Sequence, residues 1–199
     1  MRFVLATFNR HKARELEAVL CDRPAGGEPV TILPLADWPG AASPEETGET
    51  LDENARIKAR AALAVTGLPA IADDTGLEVD ALGGAPGVRS ARYAGPAASD
   101  ADNVARLLGA LAGLPRERRT ARFRTVCVAL APDGREVVAE GRLEGRILES
   151  PRGHNGFGYD PVFELPDGRS LAELEAAEKN RISHRAQALS ALSSRLPIG

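Results

Sequence analysis

Lysine is almost missing from this sequence of 199 residues. Of its 25 basic residues only Lys12, Lys58 and Lys179 are lysine, which leaves 22 arginines. Arginine is used wherever a planar fork serves, so three retained lysines hint at places that call for a compact, flexible point charge. Cysteine is equally scarce. Cys21 and Cys127 lie 106 positions apart and cannot build the multi-bridge framework of a small secreted domain. Neither suggests zinc, and the pattern fits a reducing cytoplasm, which is the expected location. No apolar run approaches the roughly 20 residues of a spanning helix, and residues 1–6 lack a basic region followed by a long apolar stretch. A membrane partner is therefore not expected. A basic excess is lacking too: the net charge of −3 argues against a nucleic-acid binder, which must displace many counterions. An anionic ligand then requires either local positive charge or a divalent cation.

What remains, 43% hydrophobic and 27% charged residues, is the composition of one domain with a buried core, and residues 1–199 are read as a single domain. Arg2 to Ala6 reads as a short buried strand, followed by a turn at Thr7 to Asn9 and a helix from about Arg10 to Leu20 with Asn9 as its N-cap. Val30 to Leu33 is a second strand, and Asp37 to Gly48 a polar loop carrying Glu45 and Glu46. The spacing of Leu51, Ala55, Ala59 and Ala62 predicts a helix over 50–66, opened by Thr50 and Glu53 as a capping box. Leu68 to Ala72 reads as a strand that stops at Asp73-Asp74-Thr75-Gly76, with another strand over Leu77 to Leu82. A helix follows over Asp100 to Leu111. Arg122 to Leu130 and Glu136 to Ala139 flank the turn Pro132-Asp133-Gly134 and read as an antiparallel pair, so the sheet is mixed. Pro151 to Pro161 is a glycine-rich loop, and Leu171 to Leu196 is helical with a break near 180–183.

Five segments could carry chemistry. Thr7-Phe8-Asn9-Arg10-His11-Lys12 is a strand-to-helix junction whose unpaired backbone N–H groups and positive dipole end suit an anion. Glu46 with Asp73 and Asp74 supplies hard oxygen donors of the kind Mg²⁺ takes alongside substrate phosphates. If strand geometry holds, the two adjacent aspartates point to opposite faces. Asn54 and Lys58 share one helix face. Gly156 to Tyr159 alternates glycine and aromatic, which lets an aromatic lie against a flat ligand. Glu178 to Arg185 is a polar cluster between two helices, with Lys179, His184 and Arg185. Each has an ordinary alternative: a capped helix, an Asx-turn, a solvated helix face for Asn54 and Lys58, an aromatic packed under a loop, and a surface charge run around a structural histidine.

Taken together and in order, these strings resemble the inosine triphosphate pyrophosphatase family, which cuts deaminated purine nucleoside triphosphates to the monophosphate and pyrophosphate. The resemblance rests on T-F-N-R-H-K at 7–12, E-E-T-G at 45–48, E-N-A-R-I-K-A at 53–59, A-D-D-T-G-L-E-V-D-A-L-G-G-A-P-G at 72–87, S-A-R-Y-A-G at 90–95, G-F-G-Y-D-P at 156–161 and E-K-N-R-I-S-H-R at 178–185. It implies an α/β fold: a single domain with a long mixed, strongly twisted sheet flanked by helices and an active-site cleft between two lobes. It implies that Asp74 is the general base and shares Mg²⁺ with Glu46, while Asp73 supports the strand end. Phosphates would lie among residues 7–12, Lys58 and Lys179, with Thr75 near the nucleotide. Phe157, Gly158, Tyr159 and Asp160 would hold the base, and His184 and Arg185 its six-position edge. A homodimer is also implied. The sequence departs from the family pattern at Thr75, where Ser is more usual, at Leu51, where an aromatic is usual, and at Ala186, where Gly is frequent. Competing readings are a Maf-type pyrimidine pyrophosphatase, a nucleotide sensor without turnover, and an arginine-rich nucleic-acid module.

Overall fold

A computed structural model describes residues 2–9, 12, 13, 16 and 31–196. Seven strands form one mixed sheet in the order β2-β1-β3-β5-β6-β7, with β4 paired to β3. They are β1 (Arg2–Leu5), β2 (Thr31–Pro34), β3 (Ala70–Val79), β4 (Pro86–Gly87), β5 (Thr120–Leu130), β6 (Glu136–Ile147) and β7 (Phe163–Glu164). The α-helices that lie wholly within the described residues are α1 (Leu51–Thr66), α2 (Asp100–Ala110), α3 (Ala176–Ile182) and α4 (His184–Ser193). The chain divides into two compact units, one of residues 1–74, 125–141 and 184–199 and the other of residues 75–124 and 142–183. Among the described residues no helix is long and apolar enough to cross a membrane.

In the first unit β1 pairs in parallel with β2, Val4 opposite Leu33, and with β3, Leu5 opposite Ile71. The predicted helix over 10–20 lies mostly outside the described residues, but 12, 13 and 16 are helical, and Asn9 Oδ1 accepts the Lys12 N–H at 3.2 Å as the expected N-cap. Helix α1 begins with the predicted capping box, the Glu53 N–H donating to Thr50 Oγ1 at 3.1 Å and the Thr50 N–H to Glu53 Oε2 at 3.2 Å. It stops where Gly67 takes up a left-handed conformation. Its buried stripe is Leu51, Ala55, Ala59 and Ala62 together with two polar residues, Asn54 and Lys58. The core joins Phe3, Leu5, Leu16, Ile71, Cys127, Ala129 and Ala139 to Ala188, Leu189 and Leu192 of α4. Leu51 and Ala186, the two departures from the family pattern, are both buried in helices that form where expected.

In the second unit β4 crosses β3 antiparallel, Leu77 opposite Gly87. Helix α2 opens with a capping box of Ser99 and Asp102 and packs Val104 and Leu107 into a core with Leu77, Val79, Phe123, Tyr159 and Phe163. Buried Arg119 ties this unit together by donating to the carbonyls of Ile147, Leu111 and Leu148, each at 2.7 Å.

Boundaries differ from the sequence reading at several points: the strand predicted over Leu77 to Leu82 ends at Val79, with a 3-10 turn at Asp80–Leu82, and the helical stretch predicted from Leu171 opens with a 3-10 turn at Leu171–Glu173 before the α-helix from Ala176. Strand β3 does not stop at Asp73 but runs unbroken through Asp73-Asp74-Thr75-Gly76 to Val79. Cations meet the two carboxylates, so neither has to turn back onto its own backbone. Strand β6 extends to Ile147 instead of ending at Ala139. Its second half reads Glu140-Gly141-Arg142-Leu143-Glu144-Gly145-Arg146, and charges alternating with glycines hide the apolar signal of a strand. The break in the last helical stretch falls at Ser183, whose extended backbone ends α3 directly before α4.

Candidate active site

Alternation along β3 sends Asp73 and Asp74 to different partners. Asp73 Oδ2 lies 3.3 Å from Lys12 Nζ and 3.3 Å from Arg185 Nε. Asp74 Oδ1 accepts from Lys58 Nζ at 2.6 Å, and the same ammonium lies 3.2 Å from Glu46 Oε1. Lys58 thus bridges the two carboxylates that the sequence offers to a metal. Asn54 and Lys58 are not on a solvated face: they are 0% and 8% exposed, Asn54 under the loop at Gly48 and Lys58 against the Asp74 carboxylate. Asn54 Oδ1 accepts the Gly48 N–H at 2.8 Å and so pins the loop that bears Glu46. A Cβ on Gly48 would stand 2.7 Å from that same oxygen, which is why the loop closes on a glycine.

Neighbouring aspartates end with opposite properties. Burial works to raise the Asp73 carboxyl, but Lys12, Arg185 and Lys58 outweigh it and hold Asp73 well below the usual carboxylate range. Burial also raises Asp74, and there Lys58 and Lys12 offset it only in part, so Asp74 stays above its ordinary 3.8. Burial tends to lower Lys58, yet Asp74, Asp73 and Glu46 raise it overall, and it remains an ammonium. The result is one carboxylate fixed as an anion and another made more basic, as a proton acceptor requires.

Fit to a divalent cation can be judged from the charges. Lys12, Lys58 and Arg185 are matched one for one by Asp73, Asp74 and Glu46, so a triphosphate entering this set brings negative charge that these cations do not cover. Two carboxylates sharing one ammonium suit Mg²⁺, which takes one or two protein carboxylates and completes its shell with water and phosphate. Among the described residues there is no group of three or more protein ligands that would make a self-sufficient metal cage.

The other predicted residues distribute as follows. Thr7 is half-buried, with Oγ1 accepting the Asn9 N–H at 3.2 Å, and Phe8 is 38% exposed. Arg10 and His11 lie outside the described residues. His184 and Arg185, at the first turn of α4, are buried at 4% and 2%, and a ring nitrogen of His184, Nδ1, is 2.6 Å from Thr125 Oγ1. In the second unit Lys179 is buried rather than part of a surface run, its ammonium 2.7 Å from Asp160 Oδ2 and 4.7 Å from the Phe157 ring centroid. Asp160 Oδ2 also accepts the Phe157 N–H at 2.9 Å, and a Cβ on Gly156 would collide with that carboxylate. The Gly158 N–H donates to Asp100 Oδ2 at 2.8 Å. Tyr159 packs into the core with its hydroxyl donating to the Ser90 carbonyl at 2.9 Å, so its ring supports the loop. Thr75 is half-buried in β3. Thr125, Asp100 and the pinning role of Asn54 were not legible beforehand, because each acts through a contact with a residue distant in sequence or on a loop.

A buried, basic carboxylate set among lysine ammoniums on a mixed α/β sheet is the equipment of a hydrolase for an anionic substrate. The chain belongs to the Ham1 family, whose sequence profile matches residues 3–195. It is 54% identical over 198 residues to the dITP/XTP pyrophosphatase of Methylococcus capsulatus, covering 98% of this chain and 96% of that one. It is 52% identical over 196 residues to the dITP/XTP pyrophosphatase of Symbiobacterium thermophilum, covering 98% and 95%. A solved HAM1 protein from Coxiella burnetii superposes with a TM-score of 0.86 at 43% identity over 98% of both chains. The expected single-domain α/β fold, a curled mixed sheet flanked by helices, is therefore the fold of this family, and the expected membership in a nucleotide-hydrolysing family holds.

Proposed function

We propose that this enzyme hydrolyses the deaminated purine nucleoside triphosphates ITP, dITP and XTP to the monophosphate and pyrophosphate, removing them from the nucleotide pool. The observation that carries this reading is Asp74, a buried carboxylate raised in basicity and held 2.6 Å from Lys58 beside Glu46. Curated relatives at about half identity, named dITP/XTP pyrophosphatases, support the substrate class.

Water attacks the α-phosphorus as the bond to the oxygen bridging to the β-phosphorus breaks. The electron pair leaves with pyrophosphate, and Asp74 takes the proton from the attacking water. Lys12, Lys58 and Lys179 neutralise phosphate charge as it shifts to the leaving group. Glu46 and Asp74 would hold Mg²⁺, which when bound supplies Lewis acidity and further positive charge at the phosphates. Phe157 to Asp160 contact the base and Thr75 the nucleotide, as the family resemblance implies. His184 and Arg185 present N–H donors to the six-position, which donate to the carbonyl of hypoxanthine or xanthine and oppose the amino group of adenine. Such a buried mismatch is worth about 10⁴ in selectivity. A steric or desolvation penalty on the two-amino group rejects guanine. A cytoplasmic homodimer completes the reading.

The test is pyrophosphate release from ITP, XTP, dITP, GTP and ATP, with and without Mg²⁺, beside Asp74→Asn. Hydrolysis of the first three only, dependent on Mg²⁺ and lost in the variant, is expected. Efficient GTP cleavage would refute the two-amino penalty, and an equally active Asp74→Asn would refute the base assignment.

A further inference from the structure

We infer that Thr125 is a positioning residue for purine selection: its hydroxyl donates to His184 Nδ1 and thereby fixes the proton of the imidazole on Nε2. The inference rests on the reading of His184 as a contact to the six-position of the base, and it adds the group that makes His184 a donor there. A neutral imidazole carries one N–H, and which nitrogen bears it is set by the partner of the other. Thr125 Oγ1 lies 2.6 Å from His184 Nδ1, a short and well-formed contact between a residue of β5 and the first residue of α4. Both side chains are buried, Thr125 at 0% and His184 at 4%, so water does not readily replace either partner. A hydroxyl can donate or accept. Accepting from Nδ1–H would leave Nε2 an acceptor, which welcomes the amino group of adenine. Donating to Nδ1 leaves Nε2–H, which welcomes a carbonyl. For the neutral ring, only the second arrangement agrees with selection for 6-oxo purines.

The ring has little freedom to escape this contact. Strand β6 approaches the start of α4 so closely at Gly141 that a Cβ there would collide with the His184 carbonyl and lie 2.5 Å from the Ala188 nitrogen. On the other side of His184 in sequence, Arg185 is held by Asp73 at 3.3 Å. Backbone and neighbour are thus anchored, and the Thr125 hydroxyl governs the proton on the ring.

The experiment has a spectroscopic arm and a kinetic arm. In the full-length ¹⁵N-labelled protein, with the His184 signals assigned by their loss in His184→Gln, the imidazole pattern of wild type is expected to be that of the Nε2–H tautomer. Thr125→Val, close in shape but without the hydroxyl, is expected to shift that pattern toward Nδ1–H or a mixture. Thr125→Ser, which keeps the donor, is expected to retain it. The ratio of kcat/KM for ITP over ATP is expected to fall about tenfold in Thr125→Val, the size of one lost hydrogen bond, and to return in Thr125→Ser. An Nδ1–H tautomer in wild type overturns the inference even if no variant folds. An unchanged pattern in Thr125→Val, or a changed pattern with an unchanged ratio, overturns it as well. Absence of ITP hydrolysis by wild type would instead strike the proposed function, and the tautomer measurement separates the two failures.

Discussion

Lys58 shows why three lysines survive in so arginine-rich a chain. Its single ammonium nitrogen sits 2.6 Å from Asp74 and 3.2 Å from Glu46 at a buried position, where a planar guanidinium would need more room and would fix the two carboxylates in a different geometry. Lys12 meets Asp73 at 3.3 Å and Lys179 meets Asp160 at 2.7 Å, so each lysine is held by a carboxylate that the sequence had already singled out. Lys12→Arg, Lys58→Arg and Lys179→Arg are each expected to lower kcat/KM for ITP, Lys58→Arg by about a hundredfold because it sits on the base. Three near-wild-type rates would show that the lysines have no special role. The adjacent aspartates should respond differently to loss of charge. Asp73→Asn leaves Lys12 and Arg185 without their shared anion and is expected to destabilise the protein by about 3–5 kcal/mol in denaturant unfolding. In Asp74→Asn the carboxylate is lost, so turnover should vanish, while Lys58 keeps Glu46 as a counter-ion at 3.2 Å and the loss of stability should be smaller than in Asp73→Asn. In the metal-free protein the Asp74 carboxyl should titrate above the ordinary aspartate value of 3.8 in an NMR pH series, since burial raises it.

At the scale of elements, the amphipathic helices were legible and their polar members were not. The capping box at Thr50 and Glu53 and the Leu51, Ala55, Ala59, Ala62 stripe follow from spacing alone, and α1 forms where they place it. The same spacing left a solvated face open for Asn54 and Lys58, because periodicity cannot tell a polar stripe turned to water from one turned to buried carboxylates. Strand β6 shows the converse. The predicted strand ended at Ala139, before its glycines, yet Gly141 and Gly145 occur where another backbone comes close: a Cβ on Gly145 would collide with the Glu164 carbonyl and stand 2.6 Å from the Phe163 ring. Gly141→Ala is therefore expected to push β6 off the start of α4, costing about 1–3 kcal/mol in thermal or chemical unfolding and lowering kcat through His184 and Arg185. An alanine variant with wild-type stability and rate would mean that this approach is loosely packed.

For the whole molecule, the low folded-state value of Asp73 links stability to pH. A carboxyl whose folded value is depressed contributes stability that is present in full above its ordinary 3.8 and is lost as pH falls from there through the folded value. Acid unfolding should therefore steepen below about pH 4, and Asp73→Asn should flatten that dependence in melting scans from pH 2 to 7. Sequence by itself determined the α/β class, the mixed sheet, the caps and the family, because turn chemistry, hydrophobic period and ordered motifs are local and survive without coordinates. It also placed the titratable residues that meet in the first unit, Lys12, Glu46, Lys58, Asp73, Asp74 and Arg185, in short strings. Only the tertiary structure decided which carboxylate meets which cation. Asp73 and Asp74 are adjacent and chemically identical in the chain, yet one is held as an anion by Lys12 and Arg185, 61 positions before and 112 after it, while burial raises the other above its ordinary value. That division depends on desolvation and on distances between residues far apart in sequence, and these exist only once the chain has folded.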